Sequence, residues 1–161
     1  MTRVFVSYSH AQGNWVKNCL VPLLRAGRAE LLIDWERFKV GTTVIGQMDA
    51  IQVQADVNIL CLTEQYLASK YCIHEMRRAI SQDAMFVKQL DRRVKRGLVV
   101  PIRLDDAVWP PELTTPNPLF ADLRDSTNNA DSWPLILIRA KSNLARAHHP
   151  GWRQEMVSKD I

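Results

Sequence analysis

The sequence lacks the short motifs that mark several familiar kinds of site. It holds six glycines, yet neither the G-x-G-x-x-G fingerprint of a Rossmann unit nor the G-x-x-x-x-G-K-[ST] phosphate loop occurs. The G-x-S-x-G nucleophile elbow of a hydrolase is missing as well. A Rossmann cofactor site, a P-loop and a serine-hydrolase site of that type are therefore not supported.

Cysteine is also scarce. The three residues Cys19, Cys61 and Cys72 form an odd set without a C-x-x-C pair, so neither a disulfide framework nor a zinc site is expected. All three lie in apolar segments, and we interpret them as small buried hydrophobes in a reducing compartment. The adjacent pair His148 and His149 lacks acidic or cysteine companions at ligand spacing, so no metal is expected there either.

Long apolar runs are absent. No stretch approaches the roughly 18 apolar residues that a membrane-spanning helix needs. The N-terminal MTRVFVSYSH lacks the apolar core of a signal peptide, so we expect a cytoplasmic protein with no membrane partner. A length of 161 residues with 47% hydrophobic and 24% charged residues is typical of one globular domain.

Positive charge is in excess, and much of it is local. The formal net charge is +4, and five basic residues crowd into KQLDRRVKRG, namely Lys88, Arg92, Arg93, Lys95 and Arg96. Nucleic-acid binding favours basic residues interleaved with aromatic rings, and this run has no aromatic residue. We therefore interpret it as a solvated connector and expect no direct nucleic-acid binding, with a patch for a polyanion or partner as the alternative.

Apolar residues follow alternating strand and helix periods along the chain. Strands are predicted over residues 3–8, 30–34, 57–62 and 97–104, with a short fifth at 120–123 as an option. Helices are predicted over 15–27, 43–55, from 69 onward and from 131 onward. This alternation predicts an α/β fold: a flavodoxin-like open parallel sheet of four to five strands with helices on both faces.

Three residues add detail to these elements. Pro22 predicts that the first helix is kinked or starts late, and Gly27 is expected to end it as a left-handed cap. Pro101 denies one ladder hydrogen bond, which places the fourth strand toward an edge or makes it irregular.

Ligands of such sheets bind at the carboxyl ends of the strands, where loops are predicted over residues 7–13, 35–42, 63–69 and 105–109.

Glu75 is the first candidate for chemistry. Tyr71 and Glu75 lie one turn apart on one face of the predicted third helix, beside an apolar stripe. Partial desolvation at the border of the core is expected to raise the pKa of the Glu75 carboxyl. A carboxylate beside an aromatic ring suits a ribose, since it can stabilise positive charge at the anomeric carbon. The alternative is a solvated glutamate paired with Arg77 or Arg78.

Three segments together resemble a known family. In order and spacing, VFVSYSH, DWERFKVG and SKYCIHEM (Ser69 to Met76) are similar to the motifs of Toll/interleukin-1 receptor (TIR) domains, over roughly residues 3 to 145. The resemblance implies a TIR domain over 1–147 and a tail or linker over 148–161. In enzymatic members the glutamate of the last motif is catalytic, and here it is Glu75. Tyr71 stands where tryptophan is common and retains a smaller stacking ring.

The same resemblance implies a substrate pocket. The loop after the second strand corresponds to a family loop that mediates self-association and borders an NAD pocket; residues that fit this role are Asp34, Trp35, Arg37, Phe38 and Gly41. Either Trp35 or Phe38 folding back over the core is the alternative. Tyr8, Ser9 and His10 match a segment that lines the family's pocket, where His10 would contact a phosphate or remain solvated.

The resemblance thus implies a TIR-domain NAD+ glycohydrolase that gives nicotinamide and ADP-ribose or a cyclic ADP-ribose isomer. NAD+ would be a substrate and no cofactor is expected. Activity would require self-association through the Trp35–Thr42 loop, in bacterial antiphage signalling with a sensor module fused or in trans. Two alternatives remain open: a non-enzymatic adaptor that acts through homotypic contacts, and a relative that senses a cyclic or modified nucleotide.

Overall fold

Five parallel strands form one sheet in the order β2-β1-β3-β4-β5. The computed structural model describes residues 2–32, 49–87, 97–116 and 120–124. The strands are β1 (Arg3–Ser7), β2 (Glu30–Leu32), β3 (Val57–Leu62), β4 (Leu98–Arg103) and β5 (Ala121–Asp122). This is the strand order of the flavodoxin-like class, so the predicted fold is confirmed. The predicted boundary at residue 147 and the helix from Asp131 lie outside the described residues.

Helices occupy the connections. They are a 3-10 turn (His10–Gln12), α1 (Gly13–Trp15), a π-helical turn (Val16–Leu20), α2 (Val21–Ala26), α3 (Glu64–Ala68), α4 (Lys70–Ser81) and α5 (Pro111–Thr114). Of the predicted helix over 43–55, residues 49–52 are helical and residues 43–48 lie outside the described ranges. Within those ranges, no helix has the length and apolar character needed to cross a membrane.

Side chains of the strands alternate between two buried faces. One face packs against the first helical segment through Val16, Leu20, Val21 and Leu24. The other packs against α3, α4 and α5 through Tyr66, Cys72, Met76, Ala79 and Leu113. Helices therefore cover both faces of the sheet, as the nearly continuous apolar β3 predicts.

Pro22 has no backbone N–H to donate within a helix. A π-helical turn precedes it in the chain. The turn ends with the N–H of Val21 bonded to the carbonyl of Val16, and Pro22 then lies in the first turn of α2. A π turn holds an extra residue and shifts the apolar stripe. As a result Cys19, predicted to be buried on that stripe, is exposed, so the prediction of three buried cysteines is wrong at this position.

The end of α2 also differs from the prediction. Gly27 has a φ of −80°, whereas Arg28 takes the left-handed conformation with a φ of 64°. The N–H of Arg28 bonds to the carbonyl of Arg25 at 2.9 Å, and that of Ala29 bonds to Leu24 at 3.0 Å. These two bonds form a Schellman motif, in which the left-handed residue lies one position after Gly27.

The direction of the backbone N–H groups along β4 explains why this strand tolerates Pro101. The N–H groups of Leu98 and Leu104 point to the β3 side, whereas that of Val99 points away and donates to Asp83 Oδ2 at 2.9 Å. Alternation along the strand puts the nitrogen of Pro101 on the side of Val99. Among the described residues, β5 pairs with the last two residues of β4, so Pro101 removes no ladder bond to it. The strand therefore lies next to the edge rather than at it.

The left-handed residue leads to a stability prediction. Arg28→Gly removes the Cβ that is strained at a φ of 64°, and we expect it to stabilise the fold by about 0.5–1 kcal/mol. The matched control is Arg25→Gly, an exposed position inside α2, which should destabilise by about 1 kcal/mol. Urea unfolding of both variants measures the difference. A loss of stability in Arg28→Gly would contradict the assigned conformation.

Candidate active site at the carboxyl edge of the sheet

The carboxyl ends of β1 and β3 lie side by side at one edge of the sheet. Ser7, the last residue of β1, is in register with Leu60 of β3. The chain continues from β3 into α3 and α4, which cover the face of the sheet toward which Ser7 points. This edge is where parallel α/β sheets bind ligands.

Two side-chain caps begin the helices α3 and α4, which carry the site residues. Thr63 Oγ1 accepts a hydrogen bond from the Tyr66 N–H at 3.1 Å at the start of α3, and Ser69 Oγ accepts from the Cys72 N–H at 3.3 Å at the start of α4. Both are side-chain caps that satisfy free helix donors. The prediction of a loop over 63–69 is therefore wrong, since a five-residue helix fills most of it.

A second contact fixes α3 from another loop. Asp105, after β4, accepts a hydrogen bond from the N–H of Glu64 at 2.8 Å and from that of Ala107 at 2.9 Å. The Arg103 guanidinium lies over the Trp109 ring at 4.2 Å and donates to the Ala107 carbonyl at 3.0 Å. The loop after β4 is thus braced internally, and it anchors the first turn of α3.

Glu75 lies inside this arrangement with only 8% of its surface exposed. Its Oε2 accepts a hydrogen bond from Ser7 Oγ, and Ser7 Oγ lies 2.7 Å from the hydroxyl oxygen of Tyr66. Ser7 and Tyr66 are completely buried. The alternative of a solvated glutamate is not what the structure shows, since Arg77 pairs with Glu112 and Arg78 with Asp49.

The helical stretch 49–52 holds the backbone around Glu75. Gln52 Nε2 donates to the carbonyl of Glu75 at 2.8 Å and to Asn58 Oδ1 on β3 at 3.0 Å. Asp49 Oδ1 lies 2.7 Å from Nε2 of His74, the residue before Glu75. Both the side chain and the main chain of the catalytic candidate are therefore fixed by neighbouring elements.

Tyr71 does not share the environment of Glu75. Its ring is 40% exposed, with the ammonium of Lys70 at 5.1 Å from the ring centroid, whereas Glu75 is buried. The aromatic residue linked to Glu75 is Tyr66, through Ser7. The ring of Tyr71 is thus exposed at the surface, whereas the ring of Tyr66 is buried and linked to the carboxylate of Glu75 through Ser7.

The candidates after β1 lie close to α4. The Tyr8 carbonyl accepts a hydrogen bond from Cys72 Sγ at 3.5 Å, one helical turn before Glu75. Ser9 is buried, and its hydroxyl has no hydrogen-bond partner among the residues that the structure describes. His10 is exposed and begins the 3-10 turn. The structure therefore brings Tyr8 and its neighbours to the edge that holds Glu75.

The remaining predicted site residues lie outside the described residues. They are Asp34, Trp35, Arg37, Phe38 and Gly41, together with the rest of the Trp35–Thr42 loop.

Sequence reasoning missed the residues behind the carboxylate. Ser7 has a detectable signal, since it is a hydroxyl that directly follows three buried apolar residues of its strand. Tyr66 follows its helix cap Thr63 by three residues, a spacing typical of a helix start. Gln52 is a polar residue buried beside the apolar Ile51, and only its partners in space explain it.

Burial keeps two titratable groups that interact with Glu75 neutral. Burial, and next the charge of Glu75, raises the pKa of the Tyr66 hydroxyl well above its ordinary value. Burial, followed by the charges of Cys72 and Glu75, likewise raises the pKa of the Cys61 thiol. Over the part of the chain that the structure describes, no group of three or more His, Cys, Asp or Glu residues could hold a metal ion.

Comparison with known proteins identifies the family. Residues 4–137 match the family model described as TIR domain. The chain belongs to the TIR domain family. The TIR domain of the Toll-related receptor TRR-2 from Hydra magnipapillata aligns over 88% of this chain and 97% of its own, with a TM-score of 0.65 and 14% identity. At that identity the likeness concerns the fold alone.

A second solved structure aligns less closely. The TIR domains of the activated Roq1 resistosome, which directly recognises the pathogen effector XopQ, align over 99% of this chain and 84% of theirs, with 15% identity. The TM-score of 0.44 is too low to support an argument. No curated protein matches the sequence significantly.

Burial of two of the three cysteines leads to a prediction of thiol reactivity. In the native TIR domain, the exposed Cys19 should react fast with an aromatic disulfide reagent, while the buried Cys61 and Cys72 react only after unfolding. Absorbance of the released thiolate counts the groups. Cys19→Ser should abolish the fast phase, and a fast phase that persists in this variant would contradict the described burial.

Proposed function

We propose that this TIR domain cleaves the bond between nicotinamide and ribose in NAD+, with Glu75 as the catalytic residue. The observation that supports the proposal is the buried carboxylate of Glu75, held by Ser7 at the carboxyl edge of the sheet. In a water-poor site a fixed negative charge interacts more strongly with developing positive charge than it does in water.

The reaction needs little more from the protein than this charge. When the C–N bond breaks, its electron pair leaves with nicotinamide, which departs neutral and needs no proton. Positive charge develops at the anomeric carbon and the ring oxygen, where a carboxylate stabilises it. Attack by water, which then loses a proton to solvent, gives ADP-ribose, and attack by a nucleophilic atom of the same molecule gives a cyclic isomer. No redox step occurs.

Substrate contacts are assigned to residues around the same edge. The hydroxyl of Ser9, which is buried and has no partner within the described part of the chain, supports a polar contact to the dinucleotide, since a buried hydroxyl without a partner is costly. Tyr8, His10 and the exposed ring of Tyr71 are proposed as further contacts. The family resemblance adds Asp34, Trp35, Arg37, Phe38 and Gly41.

Assembly belongs to the same proposal. The TIR resemblance supports self-association through the Trp35–Thr42 loop, with a copy of the chain completing the site of its neighbour. A cytoplasmic bacterial antiphage role, triggered by a sensor module fused or in trans, is the setting that we propose. The alternative function is a contact module without turnover, and the structural likeness to a receptor TIR domain is compatible with it.

Release of nicotinamide from NAD+ tests the function. At matched high protein concentration, we expect wild type to release nicotinamide, and Glu75→Gln, which keeps the shape and removes the charge, to be slower by about 100-fold or more. The matched control is Glu112→Gln. Glu112 is exposed on α5 and pairs with Arg77 of α4, the helix that carries Glu75, and this variant should retain wild-type activity.

Two results would contradict the proposal. Equal rates for wild type and Glu75→Gln would remove Glu75 from the mechanism. No release by wild type at any concentration at which the protein self-associates would leave the contact module as the function. Chromatographic separation of ADP-ribose from its cyclic isomers in the same samples identifies the product.

A further inference from the structure

Three oxygen-bearing side chains form a continuous hydrogen-bonded chain from α3 to α4. The chain runs from the Tyr66 hydroxyl through Ser7 Oγ to Glu75 Oε2, with Tyr66 and Ser7 fully buried. Ser7 Oγ donates its hydroxyl hydrogen to Glu75 Oε2. Because a serine has one hydroxyl hydrogen, Tyr66 then donates to Ser7.

This order of donors favours the charged form of the carboxylate. Burial by itself disfavours an ionised glutamate, whereas a hydrogen bond donated to the carboxylate favours it. A donor that itself accepts a hydrogen bond is polarised and becomes a better donor. Tyr66 thus acts on Glu75 through Ser7 without touching it.

We propose that Tyr66 and Ser7 form a positioning relay that keeps the buried Glu75 carboxylate ionised and fixes its Oε2 atom toward β1. The relay deepens the proposed function, on which its role in turnover rests. Tyr66 and Ser7 are positioning residues, since neither contacts the substrate in this scheme.

Other charged and titratable groups lie on the elements around Glu75. Among the described residues, they include Tyr66 on α3, Cys72, His74 and Arg78 on α4, Asp49 before Gln52, and Cys61 on β3, whose side chain packs on the opposite face of the sheet. Burial keeps the Cys61 thiol neutral. His74 and Arg78 are engaged with Asp49. The amide of Gln52 binds the carbonyl of Glu75 and not its carboxylate.

The position of Tyr66 is set independently of its hydroxyl. The Thr63 cap and the bond from Glu64 to Asp105 hold α3, and the tyrosine ring packs in the apolar cluster below it. Phenylalanine would fill the same volume. Tyr66→Phe therefore removes the first donor of the relay and leaves the packing in place.

The experiment compares Tyr66→Phe, Ser7→Ala and the double variant. The control is Thr2→Val just before β1, which removes a buried hydroxyl that has no hydrogen-bond partner among the described residues. Carbon-13 NMR of the labelled glutamate carboxyls measures the titration of Glu75, assigned by its absence in Glu75→Gln. Rates of nicotinamide release against pH measure turnover.

Because the relay favours the ionised form, its loss raises the pKa of Glu75, and the acid limb of the pH–rate profile moves to higher pH. For Tyr66→Phe we expect a shift of about 0.5–1 pH unit and a fall in kcat of about 3- to 10-fold, with KM changed by less than about twofold. Ser7→Ala should have at least the same effect.

The double variant separates a relay from two independent packing effects. If Tyr66 acts only through Ser7, Tyr66→Phe adds nothing once the serine hydroxyl is gone. Unchanged titration of Glu75 in Tyr66→Phe, or additive shifts in the double variant, would overturn the relay. If wild type released no nicotinamide, the proposed function would fail, and the NMR titration would still decide whether the relay keeps Glu75 ionised.

Discussion

The hydrogen bond between Ser7 and Glu75 connects the two parts of the molecule on which the site depends. It joins the last residue of the first strand to the middle of α4, across the buried face of the sheet. A carboxylate in such a place needs donors, since an uncompensated buried charge is very costly. The capped helices, the braced loop after β4 and the amide of Gln52 all serve to hold these two residues together.

The TIR fold explains why the site lies where it does. Parallel strands carry their carboxyl ends to one edge, and the connections that leave this edge bring α3 and α4 over the same face. Alternation along β1 places Val4 and Val6 in one core and turns Ser7 to the other. Ser7, the polar residue at the end of β1, thus donates a hydrogen bond to Glu75 on α4.

The sequence predicted the architecture well because period-2 and period-3.6 patterns report local burial. Glu75 was accessible to prediction for the same reason, together with the resemblance of its segment to the TIR motifs. Its partners were not, because Ser7 and Tyr66 are 59 positions apart and meet only in the folded chain. Local irregularities were also missed: the π turn that exposes Cys19 and the left-handed Arg28 depend on backbone choices that apolar periodicity does not report.

The proposed reaction requires the Glu75 carboxylate to contact the sugar whose bond is broken. A crystal structure with an NAD+ analogue in which carbon replaces the oxygen of the nicotinamide-bearing ribose ring tests this directly, because such a ring cannot form the charged intermediate and stays intact. We expect the carbon that bears nicotinamide to lie about 3–3.5 Å from a carboxylate oxygen of Glu75, with nicotinamide beyond it. An analogue bound away from this edge of the sheet, with Glu75 still enclosed by protein, would contradict it.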